Sequence, residues 1–150
     1  MATESTLLAD YGDYHRDRRN LICHEIGIPL IVLGIIALLR LIVLPGTSFT
    51  LASLAVVAVM VYYAAAFGRE ARAATYIAIA GLVVLSVIAV FVPWPVAIAA
   101  FVVGWIFQFV GHAYEGKSPA FLTNLLHLLV GPLWVASHLV PTSASSSSAP

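Results

Sequence analysis

Five histidines stand in a chain that carries only seven basic and seven acidic side chains. His15, His24, His112, His127 and His138 are therefore a large share of its polar chemistry. Neutral imidazole is the commonest metal ligand, and iron accepts it together with carboxylates or open positions. In GHAYEGKSPAF, residues 111–121, His112 and Glu115 are three apart and share one helix face. Asn20 and His24, four apart, also share a face. His15 and His24 are nine apart, on opposite sides of one straight helix, so they reach one ion only if the chain bends between them. The RDRRN stretch supplies such a break, with Asn20 suited to cap the helix that follows.

Each of these groups also has a plainer reading. A histidine at a membrane boundary can serve as an interfacial hydrogen-bonding residue, and His138 is read that way. Glu115 and Lys117 can be helix-end charges, while Glu25, just inside the first apolar segment, needs a partner such as a basic side chain. Gly27 and Pro29 read as a kink and close packing, and Tyr62, Tyr63, Trp94 and Trp105 as belt or packing residues. Spacing alone does not decide. There is no His-x-x-x-His pair, and five scattered histidines cannot supply the clustered boxes of a membrane di-iron hydroxylase. Two histidines on facing helices would equally serve a haem. No Gly-rich phosphate loop and no hydrolase nucleophile elbow is present.

The elements that hold these residues follow from composition. The 150 residues are 61% hydrophobic and 9% charged, with a mean hydropathy of +1.00, whereas a soluble domain carries about 25% charged residues. The bilayer is the solvent such a surface fits, and membrane lipids are its first partners. Zero net charge argues against nucleic acid. Cys23 stands alone, so no internal disulfide forms.

A spanning helix needs roughly 20 apolar residues. Leu21–Leu44, Phe49–Phe67, Thr75–Val92 and Val96–Gly111 are predicted to cross, the first and second joined by PGTS and the third and fourth by PWP, as two helical hairpins. Pro119–Val140 is a fifth helix, kinked or re-entrant at Gly131-Pro132, carrying Asn124, His127 and His138. The fold class is thus an all-α integral membrane bundle. Residues 1–20 form an interfacial arm or helix carrying His15, residues 21–141 the transmembrane domain, and the Ser-rich 142–150 a disordered tail. A cleaved signal peptide is not expected, because the first apolar segment is long and contains Glu25 and Pro29.

Arg16, Arg18 and Arg19 precede the first span, Arg69 and Arg72 lie between the second and third, and Lys117 follows the fourth. The positive-inside rule then puts the N-terminus in the cytoplasm of a bacterium or outside the lumen of an endoplasmic reticulum. Arg40 alone lies at the far end, where it can snorkel. This topology brings His15, His24, His112 and Glu115 to one side and one depth.

Two segments together resemble a known family. YHRDRRNLICHEIGIPLIV, residues 14–32, is similar to a pattern of histidine, asparagine, second histidine, then Gly-x-Pro. WIFQFVGHAYEGKSPAFLTNLLHLLVGPLW, residues 105–134, is similar to a second pattern, Trp-x-x-Gln-Phe-x-Gly-His followed by Glu and Pro-Ala. Both belong to the Mpo-like family of membrane 2-hydroxy fatty acid dioxygenases, which act in fatty acid α-oxidation. The resemblance implies an Fe(II) enzyme that shortens a 2-hydroxy fatty acid by one carbon with O2 and without 2-oxoglutarate. It implies His15, His24 and His112 as iron ligands, with His127 either a fourth ligand or a group that supports them. Asn20, Gln108 and Glu115 match its other polar positions and would orient ligands or substrate. The final segment departs most from the family pattern. A small non-enzymatic lipid-binding or scaffold protein and a bis-histidine haem protein are the alternatives.

Overall fold

In hydrocarbon every backbone N–H and C=O must be satisfied within its own segment, so long apolar runs become helices. A computed structural model of the chain describes residues 17–69, 71–116 and 127–140, which form five α-helices with no strand among them. These are α1 (Arg18–Leu39), α2 (Leu51–Phe67), α3 (Arg72–Ala89), α4 (Trp94–Glu115) and α5 (His127–His138). Three of them, α1, α3 and α4, are long and apolar enough to cross a membrane. The 17 residues of α2 are equally apolar and reach about 26 Å. The 12 residues of α5 reach only about 18 Å, with Pro132 inside the helix. His15 with residues 1–16 of the N-terminal arm, the segment before His127 and the Ser-rich tail lie outside the described residues; residues 17–20 of the expected arm are instead the cap and first turn of α1.

The ends of the helices have local causes. Asp17 is the N-cap of α1, its carboxylate accepting from the Arg19 N–H at 2.7 Å. The expected cap, Asn20, is instead inside the first turn and fully buried. Asp17 wins because its short acceptor reaches the exposed N–H groups while Asn20 points into the bundle. Thr50 and Ser53 exchange hydrogen bonds in a capping box that starts α2. Pro93 and Pro95 bracket the start of α4, where a missing N–H costs nothing. Gly116, left-handed at φ 68°, ends α4 and donates its N–H to the His112 carbonyl.

The main partner of α1 is α4. The two run antiparallel, with Gly27 and Gly34 of α1 facing Gly104, Ala97 and Phe101 of α4. A Cβ on Gly27 would stand 2.8 Å from the Gly104 carbonyl oxygen, and one on Gly104 would stand 2.7 Å from that of Gly27. Small residues permit such an approach, which in lipid takes the place of the hydrophobic effect as the glue between helices. The turn at Pro93–Pro95 therefore does not close the expected side-by-side hairpin of α3 on α4. The flat glycine seam of α1 is the surface α4 fits, and α3 packs on α1, α2 and α5 instead.

Tyr63 of α2 is fully buried and donates its hydroxyl to the Leu129 carbonyl of α5 at 2.5 Å. At the far end of the bundle Arg40 donates to the Val90 carbonyl at 2.9 Å, placing its charge on the negative end of α3. Phe49, Phe91 and Trp94 are exposed at that end, and Tyr76 and Tyr114 at the end that carries Arg18, Arg19 and Arg72. Aromatic girdles at both ends are what a bundle in a bilayer presents.

The seam makes a stability prediction. Alanine gains about 1 kcal/mol over glycine in helix propensity, but overpacking costs about 1–3 kcal/mol. At Gly104 the clash is with backbone, so Gly104→Ala is expected to lower the melting temperature in detergent. Gly81→Ala, where a Cβ meets nothing within 4 Å, is expected to hold or raise it.

Candidate functional site

Six polar residues are buried among the described ones: Asn20, His24, Thr75, Gln108, His112 and His127. Each costs desolvation unless the fold gives it something to do. Five of the six gather where the first turns of α1, the last turns of α4 and the start of α5 converge; only Thr75, on α3, is elsewhere. His24, His112, His127 and Gln108 line one cavity of about 130 Å³, whose remaining wall is Trp105 and aliphatic side chains of α1 and α5.

The helix geometry explains how each arrives. Gly111 faces α1, and a Cβ there would lie 2.9 Å from the Cys23 Cβ and 3.3 Å from His24 Nδ1, besides striking the Asn20 side chain. Its missing side chain lets the following residue, His112, reach His24. The two rings stand 4.9 Å apart between centroids and perpendicular. His24 Nδ1 lies 3.0 Å from the Asn20 carbonyl oxygen. A carbonyl only accepts, so Nδ1 carries the proton and the lone pair sits on Nε2. Trp134 of α5 sets its ring edgewise to His24, at 6.5 Å.

Glu115 has a role that its spacing from His112 did not reveal. Its Oε2 accepts from the Asp17 backbone N–H at 2.7 Å and from the Asn20 side-chain amide at 3.3 Å. The end of α4 thus donates a carboxylate to the start of α1, where the helix dipole favours negative charge. One residue earlier, Tyr114 lies beneath the Arg19 guanidinium, 5.4 Å from its ring centre. The two contacts together clamp the entry of α1 onto α4.

His24, His112, His127, Asn20, Gln108 and Glu115 are thus brought to one end of the bundle, while His15 lies outside the described residues. His138 is exposed and donates Nδ1 to the Trp134 carbonyl at 2.9 Å, away from the cavity wall. Glu25 is half-buried and does not line the cavity either. Trp105 and Trp134, read from sequence as packing or left unremarked, both border the site. Their signal was present in the second family-like segment, which begins on one and ends on the other.

Among the described residues no group of three His, Cys, Asp or Glu side chains is close enough to hold an ion by itself. The histidine pair does suit one. Imidazoles bound to a common ion from adjacent positions, at about 2.1 Å each, keep their ring centres roughly 4.5–5 Å apart, and His24 and His112 are 4.9 Å apart. The backbone bond that fixes the His24 tautomer is the usual support of a metal-binding imidazole.

The family model described as 2-hydroxy-palmitic acid dioxygenase Mpo1-like matches residues 1–142, which include every helix and every residue of the cavity. No curated protein and no solved structure matches the chain.

The Glu115 clamp predicts an uncapping effect. Glu115→Ala is expected to cost about 0.5–2 kcal/mol, the usual worth of an N-cap, and to speed tryptic cleavage at Arg18 and Arg19. Glu115→Gln keeps an acceptor oxygen and should lose less. Identical melting and cleavage in all three proteins would show that the clamp carries no weight.

Proposed function

The chain belongs to the Mpo1-like family, and on that premise we propose that it is an iron(II)-dependent dioxygenase of 2-hydroxy fatty acids. The observation that carries this reading is the perpendicular His24–His112 pair at the polar head of an otherwise apolar cavity. The reaction converts R–CH(OH)–COOH and O2 to R–COOH, CO2 and H2O. Four electrons leave the substrate and one O2 accepts all four, so neither 2-oxoglutarate nor an external reductant enters the balance.

His24 and His112 would hold the iron, and His15 and His127 are the histidines proposed to complete its protein ligands. Iron(II), when bound, supplies the one-electron chemistry through which O2 reacts with a closed-shell acid. Asn20 fixes the His24 ring through its carbonyl, and its side chain ties that turn to Glu115. Gln108 is buried against the cavity, and its amide nitrogen meets no acceptor among the described residues. It is a donor for the hydroxyl or carboxylate of the substrate, because such a group gains most when a ligand arrives to satisfy it. Arg18 and Arg19, at the start of α1, lie at the end where the carboxylate enters. That end faces the cytoplasm, α2 is the fourth crossing, and α5 is a re-entrant helix that closes the cavity.

A haem between His24 and His112 is disfavoured by their separation. Axial imidazoles on opposite faces of a haem would hold their ring centres roughly 6.5 Å apart, more than the 4.9 Å between these two.

The test is to purify the protein, measure its metal content, and follow conversion of 2-hydroxypalmitate to the acid one carbon shorter under air and under nitrogen. Stoichiometric iron and oxygen-dependent turnover are expected, lost on chelation and restored by Fe(II). His112→Ala is expected to lower turnover at least about 100-fold with a melting temperature close to that of the parent. Turnover without oxygen or iron would falsify the mechanism. A scaffold or lipid-binding role predicts no stoichiometric metal and no effect of replacing His24 and His112 together.

A further inference from the structure

The histidine cavity is too small to hold a fatty acid. At about 130 Å³ it takes a head group and a few methylenes, so the tail must leave through one of its walls. We propose that it leaves between α1 and α5 and runs along a groove formed by α1, α2 and α5, whose length sets the chain length accepted. This inference rests on the proposed reaction.

Four residues of the cavity wall, Val32, Ile35, Leu128 and Pro132, also line a second cavity of about 190 Å³. On α1 the two cavities follow one helical stripe, His24, Ile28, Val32, Ile35 and Leu39, whose spacings of three and four keep it on a single face. From His24 to Leu39 the stripe rises about 22 Å, the extended length of roughly 17 methylene groups. The opposite wall is the small-residue face of α2, Ala52, Ala55, Val56 and Val59. Among the described residues Tyr63 is the only polar side chain in this second lining, and its hydroxyl is committed to the Leu129 carbonyl. The described lining of the groove therefore offers a tail no free polar side chain to desolvate.

A rival exit exists. A cavity of about 150 Å³ on the other side of α5 shares Ile28, Val32 and Pro132 with the histidine cavity and opens against Gly81 and Leu85 of α3. On α1 it ends at Val32, about 12 Å from His24 by helical rise. The α2 groove continues where this one stops, which is the reason to prefer it for a long chain.

Two measurements decide between them. The first compares kcat/KM for 2-hydroxypalmitate with that for 2-hydroxyoctanoate. Ala55→Trp, which fills the far half of the α2 groove, is expected to lower the ratio at least about tenfold, several methylenes' worth of lost contact. Ala55→Phe serves if the tryptophan variant does not fold. Gly81→Trp, in the rival cavity, is expected to leave the ratio unchanged. The second needs no variant and no turnover. A 16-carbon 2-hydroxy acid with a diazirine at its last carbon should label α2 between Ala52 and Val59. An unaltered ratio in both Ala55 variants, or a fall confined to Gly81→Trp, overturns the proposal. So does label on α3 or spread over every lipid-facing helix. If wild-type protein turns over neither substrate, the proposed reaction fails while labelling still decides the groove.

Discussion

The site depends on how closely two backbones approach. Hydrocarbon offers no gain for bringing apolar helices together, so along its apolar length the contact between α1 and α4 rests on packing. Gly27, Gly34, Gly104 and Gly111 provide it by removing the side chains that would keep the backbones apart. Five polar residues of the site inherit their position from that seam. Asn20 and His24 on one helix, and Gln108, His112 and Glu115 on the other, meet because glycine stands beside them. Substituting the seam would therefore separate the two halves of the site before it touched any chemical group.

The polar clamp at the end of the seam works at a different scale. Burial of a carboxylate is expensive, and Glu115 offsets it by accepting two hydrogen bonds at a helix N-terminus. It does so at the position where sequence spacing suggested a partner for His112. Both readings used the helical repeat correctly. What spacing omits is the tertiary neighbour, and here the neighbour, α1, decides the role. Arg40 shows the same lesson at the far end: its charge looked like an exception to the topology until the Val90 carbonyl supplied a reason for it.

Much of the architecture could be read without coordinates because long apolar runs satisfy their backbone as helices. Hydrophobic runs at spanning length marked α1 to α4 within a few residues, and PWP marked the start of α4. Family-like patterns around His24 and His112 marked the two halves of the site. Three things escaped. The N-cap fell on Asp17 because a one-dimensional reading cannot tell which of two capping residues points outward. The hairpin of α3 and α4 did not form, since a short turn constrains connection but not packing. The spacing of seven that relates Gly27 to Gly34 and Gly104 to Gly111 was visible, yet only pairing the two helices gives it meaning.

The hydrogen bond from the Asp17 N–H to Glu115 joins residues 98 apart in the chain. During synthesis α1 is made well before α4, the helix that covers its Asn20 and His24 face. That face stays incomplete until α4 has been made, three helices later. Long-range contacts of this kind form late and leave a vulnerable intermediate. A chain that ended before α4 would hold Asn20 and His24 without Gln108, His112 and Glu115, so neither half of the site exists until the other is made.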